Sequence, residues 1–147
     1  MKIESREAAL CIFRRADSFL VAQLVDSRTG ALLHRPPGGG VEEGETPEQA
    51  VRRELLEELN VKLTVLRPLG SIDHVWFCNG REVQERAWFF LADISDDPRL
   101  SRGETPDLVE ANEEIIRTLW RPIEEAHQGL PPLCPSRLIE LLSVFRG

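Results

Sequence analysis

The chain has 147 residues and a formal net charge of −7 at pH 7. This length is enough for one α/β domain with a proper hydrophobic core and leaves no room for a second of ordinary size, so we expect a single domain over residues 1–147. The acidic balance argues against a general polyanion-binding surface, and we therefore expect no nucleic-acid partner.

The cysteines and the apolar segments argue against further kinds of site and of protein. Cys11, Cys78 and Cys134 are far apart and form no C-x-x-C pair, which indicates neither a zinc site nor a disulfide framework. Glu4 and Glu7 precede the first short apolar run, unlike a signal peptide, and no apolar segment is long enough to span a membrane. We expect a cytoplasmic location, no membrane partner and reduced thiols.

The first elements in chain order are short β-prone runs. Residues 8–13 and 19–25 are apolar and are separated by a polar stretch, which predicts a hairpin. A third strand is expected over residues 31–34, and two prolines after Arg35 stop it and keep the chain extended. His34 and Arg35 are candidate phosphate contacts, but general composition favours a surface position for both.

A helix start follows a run of three glycines, Gly38–Gly40. Thr46 suits the N-cap, Pro47 the first helical position, and Gln49 can complete a capping box, so the helix begins near Pro47. Apolar residues at helical spacing predict a face packed on the rest of the protein. They are Val51, Leu55, Leu56 and Leu59.

The same helix carries a surplus of negative charge. Glu54, Glu57 and Glu58 lie at i, i+3 and i+4, which places three carboxylates within one arc beside the apolar stripe. Like charges at this spacing destabilise a helix, and a divalent cation reverses the effect. Mg²⁺ prefers carboxylate oxygens, and a backbone carbonyl from the glycine loop can join them. A solvated acidic face is the alternative interpretation.

Residues 38–61, reading GGGVEEGETPEQAVRRELLEELNV, together match a known pattern. The fixed positions, Gly39, Glu45, Arg53-Glu54-Leu55-x-Glu57-Glu58 and Val61, resemble the Nudix box of the MutT-like hydrolases. The family has a glycine where this chain has Asn60. That glycine ends the helix in a left-handed conformation, which Asn also adopts well, so the departure is conservative for the backbone.

After the helix, the pattern predicts a strand over residues 61–66 and then a hairpin. Residues 71–78 and 81–94 flank Asn79-Gly80, a strong two-residue hairpin turn. Residues 87–92 are continuously apolar, as in a central strand covered on both faces. A mixed β-sheet between helices follows, an α/β/α sandwich that the Nudix resemblance also implies.

The hairpin supplies candidate substrate contacts. Trp76 and Phe77 lie near the turn, where strand alternation directs one ring away from the core, so one of them can stack on a base or pack in the protein. Arg81 and Arg86 are candidate phosphate contacts on the same hairpin.

Residues 95–112 are polar, with prolines and a glycine that discourage regular structure, and the last strand is expected over residues 115–121. The resemblance implies a further metal-binding or proton-accepting glutamate before Trp120, for which Glu114 has the best spacing and Glu113 and Glu110 are alternatives. Two helices are predicted at residues 122–127 and 135–145. The second is amphipathic, with Leu138, Leu141, Leu142 and Phe145 facing the core.

The resemblance implies hydrolysis of a phosphoanhydride in a nucleoside diphosphate linked to another group. Mg²⁺, with Mn²⁺ as a possible substitute, is expected on Glu54, Glu57, Glu58 and the Gly38 carbonyl. Glu54 or Glu114 accepts the proton of the attacking water, and Arg53, paired with Glu45, orients the carboxylates.

The substrate and the oligomeric state are less defined. The chain contains no tyrosine, whereas dinucleoside polyphosphate hydrolases of the family often use one. It has Trp76 and Phe77 near the position where some ADP-ribose hydrolases have a proline. We therefore favour a nucleoside triphosphate, including an oxidised one, over ADP-ribose or a nucleotide sugar. A non-catalytic nucleotide-binding module is a further alternative, and a homodimer is possible.

Overall fold

The computed structural model describes residues 4–126, 128–129 and 131–143. The strands are β1 Glu4–Ile12, β2 Arg14–Arg15, β3 Ser18–Val25, β4 Leu32–Arg35, β5 Gly38–Gly40, β6 Leu66–Cys78, β7 Arg81–Ala92, β8 Leu108–Val109, β9 Ile115–Ile116 and β10 Thr118–Pro122. The helices are α1 Pro47–Leu59, α2 Pro98–Ser101, α3 Ile123–Ala126 and α4 Leu138–Leu142, and Ile94–Asp96 forms a short 3-10 turn.

The strands form two sheets and a small ladder. The first sheet has the order β5-β1-β7-β6, and it is mixed because β1 and β7 run parallel while β5 and β6 pair with them antiparallel. In the second sheet β3 lies between β10 and the short β2, and β4 also pairs with β3. Strands β8 and β9 pair only with each other among the described residues. The predicted mixed sheet is confirmed.

Two hydrophobic cores lie on opposite faces of the first sheet. Along β1, Ala9 and Cys11 belong to the core under α1, whereas Leu10 and Ile12 belong to the core under α4. Strand β7 alternates in the same way, as expected for a central strand. Burial of one such large side chain contributes about 1.5–3 kcal/mol of transfer free energy. The predicted α/β/α sandwich is confirmed.

The predicted ends of helix α1 are confirmed. The Thr46 hydroxyl accepts a hydrogen bond from the Gln49 backbone at 3.1 Å, and the Gln49 side chain accepts one from the Thr46 backbone at 2.9 Å. At the other end Asn60 adopts the left-handed conformation, with φ 57° and ψ 39°. Local chemistry therefore sets both ends of the helix.

The buried face of α1 differs from the prediction at Leu56, which is 52% exposed. Leu56 lies roughly 100° around the helix from Leu55, on the side away from the sheet. Ala50 is buried instead, and Glu58 lies near the middle of the buried face between Ala50 and Leu55. Helix α1 thus places the Glu58 carboxylate within the apolar face that packs on the rest of the protein.

The predicted hairpin of residues 8–13 and 19–25 is wrong in its pairing. β1 pairs with β5 and β7, and only Arg14 and Arg15 turn back onto β3. The chain changes sheet after Phe13, so β1 and β3 contribute to different sheets. The hairpin at Asn79-Gly80 is confirmed, with φ of 52° and 76° at the two turn residues.

The strand predicted over residues 61–66 is also wrong, because β6 begins only at Leu66. Side chains bind the backbone there instead of a neighbouring strand: Arg52 donates to the carbonyls of Leu63 at 2.6 Å and Thr64 at 3.1 Å. Asp96 accepts from the Thr64 amide at 2.8 Å. Strand β6 continues through the predicted break, which appears as a register shift between Pro68 and Gly70.

The C-terminal part contains more regular structure than expected. Asp97 caps α2, which begins at Pro98 within the segment predicted to be irregular. The predicted last strand is two strands, β9 paired with β8 and β10 paired with β3. Helices α3 and α4 form within the predicted ranges, whereas His127 and Phe145 lie outside the described residues. Across the described part of the chain, no helix is both long and apolar enough for a membrane span.

Candidate active site

The glycine strand β5 lies directly against the carboxylates of α1. A Cβ atom added at Gly39 would stand 2.5 Å from the Glu54 carboxyl carbon, so a side chain there displaces the carboxylate. Gly38 has φ +142°, a conformation that L side chains rarely adopt, and a Cβ there would collide with the Ala9 carbonyl of β1. The glycines therefore allow a close approach between loop, sheet and helix.

Arg53 connects this loop to the helix carboxylates. Its guanidinium donates to both Glu45 oxygens at 2.7 and 2.9 Å and to the Gly40 carbonyl at 3.0 Å. It also donates to Glu54 at 2.9 Å and to Glu57 at 3.3 Å. The hydrogen bonds from Arg53 lower the pKa of Glu45 to about 2. The structure thus brings three carboxylates, those of Glu45, Glu54 and Glu57, together around the Arg53 guanidinium.

Glu58 is the most perturbed carboxylate of the site. Its side chain is nearly buried, and burial, together with hydrogen bonds and charge from Glu54 and Glu110, raises its pKa to about 9. The pKa of Glu110 is also raised, first by burial and then by the charges of Glu54 and Glu114. The carboxyl groups of Glu54, Glu58 and Glu110 therefore lie near one another, and protonation of one of them reduces their mutual repulsion.

The loop glutamate that reaches the helix is Glu110, one of the alternatives to Glu114. Residues 110–114 form a turn between β8 and β9, in which the Glu110 amide donates to the Glu114 carbonyl at 2.9 Å. Glu114 is exposed, and its amide donates to Asn112 at 3.0 Å. Alternation along β8 gives the sequence signal: Leu108 is buried, Val109 is exposed, and Glu110 points back inward.

The donor set fits a hard divalent cation. Glu54, Glu58 and Glu110 present carboxylate oxygens whose mutual repulsion a cation would remove, and the space at Gly39 keeps Glu54 close to the loop backbone. Within residues 4–126, 128–129 and 131–143, no three His, Cys, Asp or Glu side chains already stand close enough to hold a metal ion. Binding would therefore require side-chain rearrangement and loss of the proton that the raised pKa places on Glu58 at neutral pH.

The four candidate substrate contacts of the β6–β7 hairpin instead contact residues of the sheets and of the β3–β4 turn. The Trp76 ring packs on the Arg35 guanidinium at 4.5 Å, and Arg28 lies 4.6 Å from the Phe77 ring centroid. Two ion pairs complete the set, Arg81 with Glu4 at 3.6 Å and Arg86 with Asp73 at 2.8 Å. A role of Trp76, Phe77, Arg81 and Arg86 in substrate binding stays a prediction.

A buried ion cluster was missed by the sequence analysis. Glu85 is 2% exposed and accepts hydrogen bonds from Arg35 at 2.7 Å, Arg6 at 2.7 Å and His74 at 2.8 Å. Burial alone would raise its pKa, but these three partners outweigh burial and lower the pKa to about 2. The expected surface position of His34 and Arg35 is wrong, since they are 6% and 4% exposed. A signal existed: Glu85 lies between buried Val83 and Ala87 at strand spacing.

Comparisons with known proteins identify proteins similar to this chain. A family model described as "NUDIX domain" matches residues 4–141. The chain is 34% identical over 114 residues to "Putative mutator protein MutT4" of Mycobacterium tuberculosis (strain CDC 1551 / Oshkosh), covering 78% of this chain and 42% of that protein. It is 37% identical over 89 residues to "RNA pyrophosphohydrolase" of Photobacterium profundum, covering 48% and 49%. The chain thus spans less than half the length of these two curated relatives.

A solved structure extends the likeness to nearly the whole chain. The solution structure of the E. coli ORF135 protein superposes with a TM-score of 0.57 at 29% sequence identity. The alignment covers 98% of this chain and 90% of that one. The overall fold of this chain therefore resembles one that is already known.

Proposed function

Because this chain belongs to the NUDIX family, whose model matches residues 4–141, we propose that it hydrolyses a phosphoanhydride bond in a nucleoside diphosphate linked to another group. Mg²⁺ is the proposed cofactor, and Mn²⁺ can replace it. The observation that carries the proposal is the meeting of Glu54, Glu58 and Glu110 beside the glycine loop. A structural helix gains nothing from a buried carboxylate with two half-buried carboxylates beside it, whereas a metal-dependent hydrolase needs them.

Glu54, Glu57, Glu58 and the Gly38 carbonyl are the proposed metal ligands. Bound Mg²⁺ neutralises phosphate charge and lowers the pKa of a coordinated water. Arg53 is a positioning residue, because its guanidinium holds Glu54 and Glu57 together with the loop carbonyl of Gly40. Its ion pair with Glu45 fixes the guanidinium from the opposite side.

A glutamate accepts the proton as the water oxygen bonds to phosphorus and the anhydride P–O bond breaks. The candidates are Glu54 on the helix and a glutamate of the β8–β9 turn. We assign the turn role to Glu110 in place of Glu114, because Glu110 hydrogen-bonds to Glu58 and Glu114 is exposed. The leaving phosphate carries away the charge that develops on the bridging oxygen.

A nucleoside triphosphate, including an oxidised one, is the proposed substrate, with the monophosphate and pyrophosphate as products. The relative named "Putative mutator protein MutT4" is consistent with this class. The relative named "RNA pyrophosphohydrolase" supports a second candidate substrate, the 5′ end of an RNA. We therefore include RNA among the candidates, although the acidic composition led us to expect no nucleic-acid partner. ADP-ribose and nucleotide sugars are the remaining class.

The test is a panel of nucleoside triphosphates, ADP-ribose, nucleotide sugars and 5′-triphosphorylated RNA, assayed for phosphate or pyrophosphate release with and without Mg²⁺. Glu57→Gln should lower turnover by at least about 100-fold while the circular dichroism spectrum is unchanged. Glu48→Gln is the matched control, since Glu48 lies on the first turn of the same helix and pairs with Arg52.

Two results would contradict the proposal. Full activity of Glu57→Gln would remove the helix carboxylates from the mechanism. Nucleotide binding measured by calorimetry, without turnover of any substrate in the panel, would instead identify a non-catalytic binding module.

A further inference from the structure

Glu85 and Arg35 form a buried ion pair outside the carboxylate site. The Glu85 side chain is fully buried, the Arg35 side chain is 5% exposed, and the two charged groups are 2.7 Å apart. Buried ion pairs often add little net stability, because desolvation offsets their attraction. The role of such a pair is therefore better sought in the positions of the backbone segments that it holds together.

Arg35 is held on several sides. Its guanidinium packs on the Trp76 ring at 4.5 Å and donates to the Cys134 sulfur at 3.7 Å. The backbone of the preceding residue, His34, accepts from the Cys134 amide at 2.9 Å and donates to the Pro132 carbonyl at 3.0 Å. Both the side chain and the adjoining backbone of Arg35 therefore have defined positions.

A stiff link joins Arg35 to the glycine loop. The chain continues as Pro36, Pro37 and Gly38. Each proline fixes its own φ, and each restricts the residue before it to extended conformations. The Pro37 carbonyl also accepts from the Cys11 amide at 2.8 Å. The two prolines thus connect Arg35 directly to Gly38, the proposed carbonyl ligand, which pairs with Leu10 of β1 at the start of β5.

We propose that the Arg35–Glu85 ion pair positions the Gly38 carbonyl for metal binding, by anchoring the start of the two-proline link to the first sheet. This inference rests on the proposed function, in which that carbonyl is a metal ligand. Arg35 lies on β4 of the second sheet and Glu85 on β7 of the first, so the pair fixes one sheet against the other beside the site.

Arg6 offers a matched comparison. It donates to the same Glu85 carboxylate at the same 2.7 Å distance, but it lies on β1 and is not connected to the loop through the prolines. The Arg6 side chain is 32% exposed and the Arg35 side chain 5%, so thermal unfolding of both variants is needed to separate unequal losses of stability from a change in metal binding. If the link matters, only loss of Arg35 changes metal binding.

The experiment measures Mn²⁺ binding to the substrate-free protein by electron paramagnetic resonance. Arg35→Gln should weaken Mn²⁺ binding by about 10-fold, the effect typical of a residue that orients a metal ligand. Arg6→Gln should leave the affinity within about twofold of wild type. Arg35→Lys should recover part of the loss, because lysine keeps a positive charge opposite the Glu85 carboxylate. Thermal unfolding of each variant accompanies the titrations.

Unchanged Mn²⁺ affinity in Arg35→Gln would overturn the inference. So would an equal loss in Arg6→Gln, or a rise in substrate KM without a change in metal affinity, which would make Arg35 a substrate contact. If Arg35→Gln does not fold, the same titration of Arg35→Lys decides, with weaker binding than Arg6→Gln as the supporting result. Wild-type protein that binds Mn²⁺ without turning over any substrate contradicts the proposed hydrolysis alone, because the comparison of variants stays valid.

Discussion

The carboxyl group of Glu110, at the start of the β8–β9 turn, lies close enough to Glu58, in the buried face of helix α1, to raise the pKa of Glu58. The two residues come from different elements, and within the described part of the chain neither carboxylate has an arginine partner of the kind that Glu54 and Glu57 have in Arg53. Because the pKa of Glu58 is raised to about 9, we expect one proton on this pair at neutral pH. The close approach of these two acidic groups therefore makes the stability of the protein depend on pH.

The first prediction concerns that dependence. The pKa of Glu58 is about 9 in the folded protein against an ordinary value of 4.5, so the folded state binds the additional proton between these pH values. Stability from this group is present below about pH 4.5 and is lost as pH rises towards 9. If the proposed Mg²⁺ displaces this proton, the increase in Tm that it causes should be larger at about pH 8.5 than at about pH 6.

Differential scanning fluorimetry with and without Mg²⁺ at the two pH values makes the measurement. Glu58→Gln serves as the control, because an amide has no proton to exchange, and its metal-free stability should vary less with pH. A Tm increase of the same size at both pH values would show that Glu58 does not lose a proton to the metal.

The second prediction separates the two turn glutamates. Glu110→Gln should lower kcat by at least about 10-fold, because it removes a carboxylate in contact with Glu58. Glu114→Gln should change kcat by less than about twofold, since Glu114 is exposed. Steady-state kinetics at saturating Mg²⁺ compare the two variants. The reverse order of effects would restore Glu114 as the turn residue that takes part in the reaction.

The third prediction compares two neighbouring glycines. Gly39→Ala places a Cβ against the Glu54 carboxylate, whereas a Cβ at Gly40 finds its nearest neighbour, the Glu7 carbonyl, at 4.0 Å. Displacing a catalytic group by about 1 Å can lower activity about 100-fold. We expect that loss for Gly39→Ala and near-normal activity for Gly40→Ala, measured at equal Mg²⁺. Similar activities for the two variants would show that the Glu54 position is adjustable.

Helix α1 and the β6–β7 hairpin could be predicted because local chemistry determines them. Thr46, Gln49 and Asn60 set the helix ends through contacts within a few residues, and Asn79-Gly80 sets the turn in the same way. The Nudix-type fold followed from the fixed spacing around α1.

The parts that failed depend on distant partners. Arg35 and Glu85 are 50 residues apart in the sequence, and each is placed in the interior only because the other is there. The position of Glu110 depends on the register of two-residue strands, which a polar sequence does not specify. Leu56 was assigned to the buried face because it is apolar, although its angle on the helix places it in solvent.

The last prediction tests the departure from the family pattern at Asn60. This residue has φ 57°, a conformation that costs an ordinary L-residue roughly 1–2 kcal/mol and costs glycine little. Asn60→Ala should therefore lower the free energy of unfolding by about 1 kcal/mol, and Asn60→Gly should leave it equal or higher. Urea denaturation followed by circular dichroism gives both values. Equal stability of the two variants would mean that the left-handed cap is not strained.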